Sequence, residues 1–193
     1  MGAMPEDALP LPPWPVDAPS FGRVLLRPVN SSDAGMAMAL ARDPYVCAAG
    51  TLPPNAGEQE ALAWVKRQLG RHSEGKGFSF TIEERQSGLA VGHCGLWLQH
   101  LAQGYASAGY AVVPELRGRG FAADALAALT SFGWTVPGLK RIELFIEPWN
   151  AASLRTAEHA GYAAAGIRRD YPLAAGERRD VRVYASRRPN AAD

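Results

Sequence analysis

Val112-Val-Pro-Glu-Leu-Arg-Gly-Arg-Gly-Phe-Ala122 sets two glycines between an apolar run and a segment rich in Ala and Leu. The run from Ala106 to Val113 reads as a strand stopped by Pro114, and Ala122 to Phe132 reads as a helix. The first N–H groups of a helix have no intrahelical partner, and the helix dipole favours negative charge there. A phosphate or pyrophosphate is therefore a natural ligand at this place. Gly118 and Gly120 let the main chain come close to it. Arg117 and Arg119 either add charge-assisted hydrogen bonds or face solvent. Glycines before a helix also occur as plain turns. No Gly-Lys-Ser/Thr follows, and Ala123-Asp124 continues the helix where a dinucleotide turn would need its third glycine, so neither fingerprint is present.

Outward from this unit, Arg23 to Val29 has strand composition, and Asn30-Ser-Ser-Asp33 supplies cap candidates for a helix over Ala34 to Arg42. Pro53-Pro54 breaks the chain before a helix in which Ala61, Leu62, Val65 and Leu69 share a face. Phe78 to Ile82 and Leu89 to Leu98 form a hairpin around the polar turn Glu84 to Gly88. Downstream, Arg141 to Ile146 is a strand, Ala151 to His159 a short helix ended by Gly161, and Tyr162 to Arg168 with Asp180 to Ala185 a last pair of strands. About seven strands with about four unevenly spaced helices make an α/β fold, α+β by stricter accounting, with a mixed sheet flanked by helices.

The chain has 193 residues, so one domain over 21–188 is expected, preceded by an extended proline-rich arm over 1–20 and followed by a tail over 189–193. Met1-Gly2-Ala3 reads as a cloning remnant ahead of Met4 or as an authentic N-terminus. With 47% apolar and 20% charged residues, the composition is that of a globular protein. Lys plus Arg number 20 against 19 Asp plus Glu, which removes any long-range reason to expect nucleic acid or an anionic membrane as partner. No apolar run reaches the roughly 18 residues that a spanning helix needs. The first twenty residues lack the basic and apolar regions of a secretion signal. Cys47 and Cys94 match no metal-ligand spacing and build no disulfide framework, so a metal-free cytoplasmic protein is expected.

Arg117-Gly-Arg-Gly-Phe-Ala122 resembles the Arg/Gln-x-x-Gly-x-Gly/Ala motif of the GCN5-related N-acetyltransferase superfamily. Gly109-Tyr-Ala-Val-Val-Pro-Glu before it, and Asn150-Ala-Ala-Ser153 with Ala160-Gly-Tyr162 after it, resemble the RimJ/RimL branch that acetylates ribosomal-protein N-termini. Leu26-Arg27-Pro28 is similar to that branch's first strand, and the similarity runs from about Val24 to about Ala185. The resemblance implies a splayed mixed sheet with acetyl-coenzyme A in the V between strands ending near Val113 and Ile146. It implies that backbone groups of Ala111, Val112 and Val113 pair with the pantetheine amides. It further implies that N–H groups from Arg117, Gly118, Arg119, Gly120, Phe121 and Ala122 hold the pyrophosphate, and that Asn150 bonds the pantetheine arm. Ser153 falls where the branch places a hydroxyl near the CoA sulfur, to protonate or stabilise the leaving thiolate; Ser153 as a plain helix cap is the other reading.

The chain departs from the family pattern where a carboxylate commonly precedes the Gly-Tyr pair, since Ala106-Ser-Ala108 stands there. His93, His100, Glu83 and His159 are substitute bases, acting directly or through water, and each also reads as a surface or packing residue. Glu115 is expected to face solvent or steady Arg117 or Arg119. Trp97 and Trp149 read as packing residues or as lining of an acceptor pocket. The expected activity is acetyl transfer to a primary amine, on a protein N-terminus or a small molecule, by direct attack in a ternary complex; a homodimer is one possible assembly, and the sequence does not fix the oligomeric state. The alternative is a non-catalytic module that binds acyl-CoA.

Overall fold

The computed structural model describes residues 11–174 and 176–189. In chain order the elements are β1 (Ser20–Phe21), β2 (Val24–Pro28), α1 (Ala34–Leu40), α2 (Pro44–Ala49), α3 (Glu58–Ser73), β3 (Gly77–Glu84), β4 (Ala90–Trp97), β5 (Tyr105–Val112), α4 (Phe121–Gly133), β6 (Arg141–Ile146), α5 (Ala151–His159), β7 (Ala163–Pro172) and β8 (Arg178–Arg187). They form one eight-stranded sheet in the order β1-β2-β3-β4-β5-β6-β8-β7. Neighbours are antiparallel throughout, except that β5 and β6 are parallel.

The mixed, helix-flanked sheet agrees with the expected class, with one more strand and one more helix than counted from sequence. The extra strand is the dipeptide Ser20–Phe21, too short to show a period of two. The extra helix arises because the stretch expected to run to Arg42 ends at Leu40. Pro44 has no N–H to continue it, and the Asp43 carboxylate accepts from the Tyr45 N–H at 2.8 Å, capping a new helix.

Two apolar layers cover the sheet. On one face, α4 and α5 bury Leu126, Leu129 and Ala157 against Phe78, Phe80, Leu96, Ile142 and Leu144. On the other, α1 and α3 bury Met36, Leu40, Trp64 and Val65 with Val113. Each cluster follows from alternation along the strands, with Ile142, Leu144 and Ile146 turned to α4 and α5. The proline-rich segment begins outside the described residues. From Leu11 onward it lies on the domain. Trp14 meets Phe78 and Phe80 edge-on at 5.2 and 5.1 Å, and the Pro12 carbonyl lies 2.9 Å from the His72 Nε2.

Near the sheet's edge a buried polar network ties β2 to β3. Arg27 donates to both oxygens of the Asp33 carboxylate, at 2.8 and 2.9 Å, and to Glu83 at 2.5 Å, while the Thr81 hydroxyl donates to Asp33 at 2.7 Å. Burial pushes the Asp33 carboxyl up, but the hydrogen bonds from Arg27, the Asn30 N–H and Thr81 outweigh it and hold the group below its ordinary range.

Candidate acyl-donor cleft and acceptor face

The two parallel strands pair over only Tyr105↔Arg141, Ala106↔Ile142 and Ser107↔Glu143. Beyond that rung β5 stays on β4 as far as Val112, and β6 stays on β8 as far as Ile146, so a V opens between them. Backbone groups alternate in direction along a strand. The Val113 N–H donates to Val91 at 2.9 Å, which turns Val113 and Ala111 toward β4. Tyr110 and Val112 therefore turn their backbone groups into the V. Of the trio expected to meet pantetheine, only Val112 presents main chain to the gap, and its carbonyl already accepts from Arg117 Nε at 2.9 Å. Tyr110, not foreseen, supplies the second exposed rung; which parity faces the gap is set by the pairing with β4.

At the open end of the V, a 3-10 turn over Pro114–Leu116 leads to Gly118 and Gly120, both left-handed with φ of 75° and 85°. Left-handed backbone strains any residue with a Cβ, which accounts for glycine at both points. Gly120 caps α4 without a side chain, so the first N–H groups of that helix, those of Phe121 and Ala122 included, point outward unbonded by a cap. Of the residues expected to hold an anion, Gly120, Phe121 and Ala122 lie at this uncapped helix start, with Gly118 in the turn before it.

The arginines divide differently from expectation. Arg117 folds back and pairs with Asp43 at 2.6 Å, bracing the end of β5 against α2. Arg119 is exposed. The cation over the helix start is Arg23, from the turn before β2. A Cβ built on Gly120 would lie 2.5 Å from its Nη2, its guanidinium sits 5.6 Å from the Phe121 ring centre, and its N–H donates to Asp124 at 3.0 Å. A lone arginine a hundred positions upstream carries no sequence signal for this placement.

Across the V, Asn150 caps α5, its Oδ1 accepting from the Ser153 N–H at 3.1 Å. The capping role belongs to Asn150 and not to Ser153. The Ser153 hydroxyl is not spent on the cap and lies within reach of the Tyr110 hydroxyl, which donates to the Ser153 carbonyl at 3.3 Å. That bond brings the exposed rung of β5 beside the start of α5. Burial pushes the Tyr110 hydroxyl up from its ordinary value, leaving it a protonated donor. Tyr45 packs edge-on against Trp149 at 4.8 Å, beside the same corner.

The face of β4 to β6 opposite α4 carries Trp97, Ser107 and Glu143 on adjoining rungs. The Trp97 ring lies across Gly95 and Gly109, where an added Cβ would meet it at 2.9 and 3.0 Å, so both positions admit only glycine without displacement. Trp149, the other suspected lining residue, is 61% exposed at the mouth.

None of the four substitute bases stands free in the V. His93 is 8% exposed against Trp64, and burial, with Arg71 adding to it, pushes its pKa down to about 3, so it is neutral and weakly basic. Glu83 is bound to Arg27, His100 stacks on Tyr105 at 4.6 Å, and His159 is exposed in the last turn of α5. Glu115 reaches neither Arg117 nor Arg119, its nearest cation being Arg42 at 3.8 Å. Two buried carboxylates on β6 and just past it were overlooked because they sat in an apolar strand. Glu143 pairs with Arg141 at 2.9 Å and Arg168 at 3.1 Å, and Glu147 lies 3.6 Å from Arg179.

The acetyltransferase (GNAT) domain family matches residues 23–163. The N-acetyltransferase p20 of Bacillus licheniformis, itself uncharacterised, is 28% identical over 163 residues, covering 84% of this chain and 92% of its own. Among solved structures, Mycobacterium smegmatis RimJ in complex with CoA-disulfide superposes with a TM-score of 0.74 at 24% identity, covering 93% of this chain and 91% of RimJ. A GNAT-family acetyltransferase from Bacillus anthracis superposes at 0.72 with 20% identity, covering 89% and 98%. The fork of β5 and β6, the glycine-capped α4 and the Asn150 corner all fall within the matched span, and the chain belongs to the GNAT family of acetyltransferases.

Proposed function

We propose that the protein transfers the acetyl group of acetyl-CoA to a primary amine, by direct attack within a ternary complex. The observation that carries this is the V of β5 and β6, where the Tyr110 backbone and the Val112 N–H lead to the unbonded N–H groups of α4. An extended amide-bearing chain adds to such an edge as a strand would, and a pyrophosphate suits a helix N-terminus. MccE, a structural neighbour with a TM-score of 0.71, was solved with acetyl-CoA and AMP, in keeping with this assignment.

Acetyl-CoA supplies an activated thioester, and the protein supplies position and proton handling. The Tyr110 backbone and the Val112 N–H orient the pantetheine, the Asn150 amide, which also meets the Tyr45 hydroxyl, bonds its arm, and Gly120, Phe121 and Ala122 with Arg23 hold the phosphates. The amine nitrogen forms its bond to the acetyl carbon as the carbon–sulfur bond breaks. One proton leaves the nitrogen for solvent, and the sulfur leaves as thiolate, stabilised or protonated by the Ser153 hydroxyl. Solvent is the natural proton acceptor because the expected β5 carboxylate is replaced by Ala106, Ser107 and Ala108, and His93 is too weak a base. That same replacement favours the second reading, an acyl-CoA-binding module without turnover. The acceptor is a protein N-terminus or a small amine, and the buried free thiols Cys47 and Cys94 suit a reducing cytoplasm.

Calorimetric titration with acetyl-CoA, desulfo-CoA and ATP, followed by thiol release with a panel of amines and N-terminal peptides, tests the assignment. Binding of acetyl-CoA and amine-dependent thiol release are expected. Binding without release from any amine favours the module, and no binding at all removes the assignment.

A further inference from the structure

Three guanidinium groups stand on the face of β4 to β6 opposite α4, each laid against an aromatic ring. Arg71 lies 5.8 Å from the Trp97 ring centre, Arg141 5.2 Å from Tyr105, and Arg168 4.8 Å from Phe145. Residues directly opposite one another in a sheet share a face. Trp97, Ser107 and Glu143 are such a set across β4, β5 and β6. Strands lie about 4.8 Å apart, so the three arginines are gathered within roughly 10 to 15 Å, the span of a small ligand.

Their charge is not cancelled. Glu143 is the only carboxylate among the described residues that pairs with Arg141 or Arg168, and it has one oxygen for each, while Arg71 has no carboxylate within ion-pair distance. Glu143 is 5% exposed, whereas Arg141 and Arg168 keep 36% and 41% of their side chains open to the face. The carboxylate thus lies beneath the arginines and holds them from behind, with their free edges outward. The Arg141 Nε is buried without a hydrogen-bond partner, a donor that the protein itself leaves unsatisfied. Stacking and a buried counter-charge fix the guanidinium planes in advance, and a fixed guanidinium fork matches a carboxylate or phosphate.

We propose that the acceptor is an amine carrying its own anionic group, a carboxylate or a phosphate, which Arg71, Arg141 and Arg168 hold on the open face beside the fork of β5 and β6. This rests on the acetyl-transfer reading above and narrows its acceptor class. The arginines contact the acceptor's anion and not the reacting atoms, so they set acceptor affinity and specificity.

The experiment compares acceptors that differ only in the anion, at equal concentrations of unprotonated amine: L-alanine with L-alaninamide, phosphoethanolamine with ethanolamine, and a Ser-Asp-initiated peptide with its Ser-Asn counterpart. These arms separate a free amino acid, a phosphorylated amine and an acidic chain terminus as the source. In at least one pair the anionic member is expected to have the higher kcat/KM by about ten- to a hundredfold, expressed in KM. Arg168→Gln and Arg71→Gln should each erase most of that preference while leaving turnover of the neutral member and the KM for acetyl-CoA unchanged, which a general loss of folding would not do. Equal or inverted preference in all three pairs overturns the inference and leaves acetyl transfer standing. If acetyl-CoA binds but no amine turns over, calorimetry with CoA plus N-acetylalanine or N-acetylalaninamide decides. Selective binding of the acid, lost in Arg168→Gln, upholds the anion site, and no selectivity overturns it. Failure of acetyl-CoA itself to bind overturns both readings together.

Discussion

Ser107 on β5 and Glu143 on β6 form the last rung that the two parallel strands share before they separate. The carboxylate missing from β5 therefore has a neighbour at the fork, yet both its oxygens are engaged by Arg141 and Arg168. Removing the buried Glu143 leaves two part-exposed arginines that water screens. Glu143→Gln should lower stability by about 1 kcal/mol in denaturant titration. The acidic limb of kcat/KM against pH should survive in a folded Glu143→Gln enzyme; its disappearance would make Glu143 the base.

Gly120 has a φ of 85°, and a Cβ there would press on Arg23. Gly120→Asp adds strain and a negative charge at the helix start, and should weaken acetyl-CoA binding at least tenfold by calorimetry. Arg23→Gln, which removes an exposed cation together with its pairing to Asp124 and its place over Phe121, should weaken it by a smaller factor that shrinks as salt is raised. An unchanged affinity in both variants would move the phosphates elsewhere.

Asn150 caps α5, so the Ser153 hydroxyl is not needed as the cap and lies beside the Tyr110 hydroxyl. Ser153→Ala should cut kcat by about ten- to a hundredfold with the KM for acetyl-CoA unchanged and helix stability intact. Loss of stability without loss of kcat would return Ser153 to a structural role.

His93 is held neutral, its pKa depressed to about 3 by burial. In the unfolded chain it takes up a proton near pH 6.5, so the unfolded state binds more protons between that pH and about 3. Stability should therefore fall as pH drops through this window, and His93→Gln should flatten the slope without moving the pH profile of turnover. A shifted turnover profile would restore His93 as a base.

The Asp33 carboxyl is depressed, so its contribution is complete above its unfolded pKa near 4 and is lost as pH falls through the lower folded value. Arg27→Met should cost about 3 kcal/mol at pH 7, because it strands Asp33 and Glu83 beside each other. Chemical denaturation at pH 7 and pH 3 checks this, with the gap between wild type and variant expected to narrow at the lower pH.

Local chemistry was legible along the chain. Pro114, the Gly118 and Gly120 pair and the Ala/Leu run of α4 announced strand, turn and helix start, because steric limits and missing helical partners act within a few residues. The cap of α5 was not legible, since Ser153 was the cap candidate and Asn150 takes that place. The counts of strands and helices slipped where elements were as short as Ser20–Phe21 or were divided by Asp43-Pro44, since two residues carry no period.

What tertiary structure alone decided was direction and neighbourhood. Parity along β5 turned Tyr110 into the V and Ala111 and Val113 away from it, a choice set by the partner strand and not by the residues themselves. Arg117 went to Asp43 and Arg23 took the place beside Gly120, although both motif arginines looked suited to an anion. Glu143 and the stacked Arg71, Arg141 and Arg168 come from three separate segments, α3, β6 and β7. Their pairing depends on which strands adjoin and which face stays uncovered, and long-range electrostatics of that kind leaves no pattern in a linear chain.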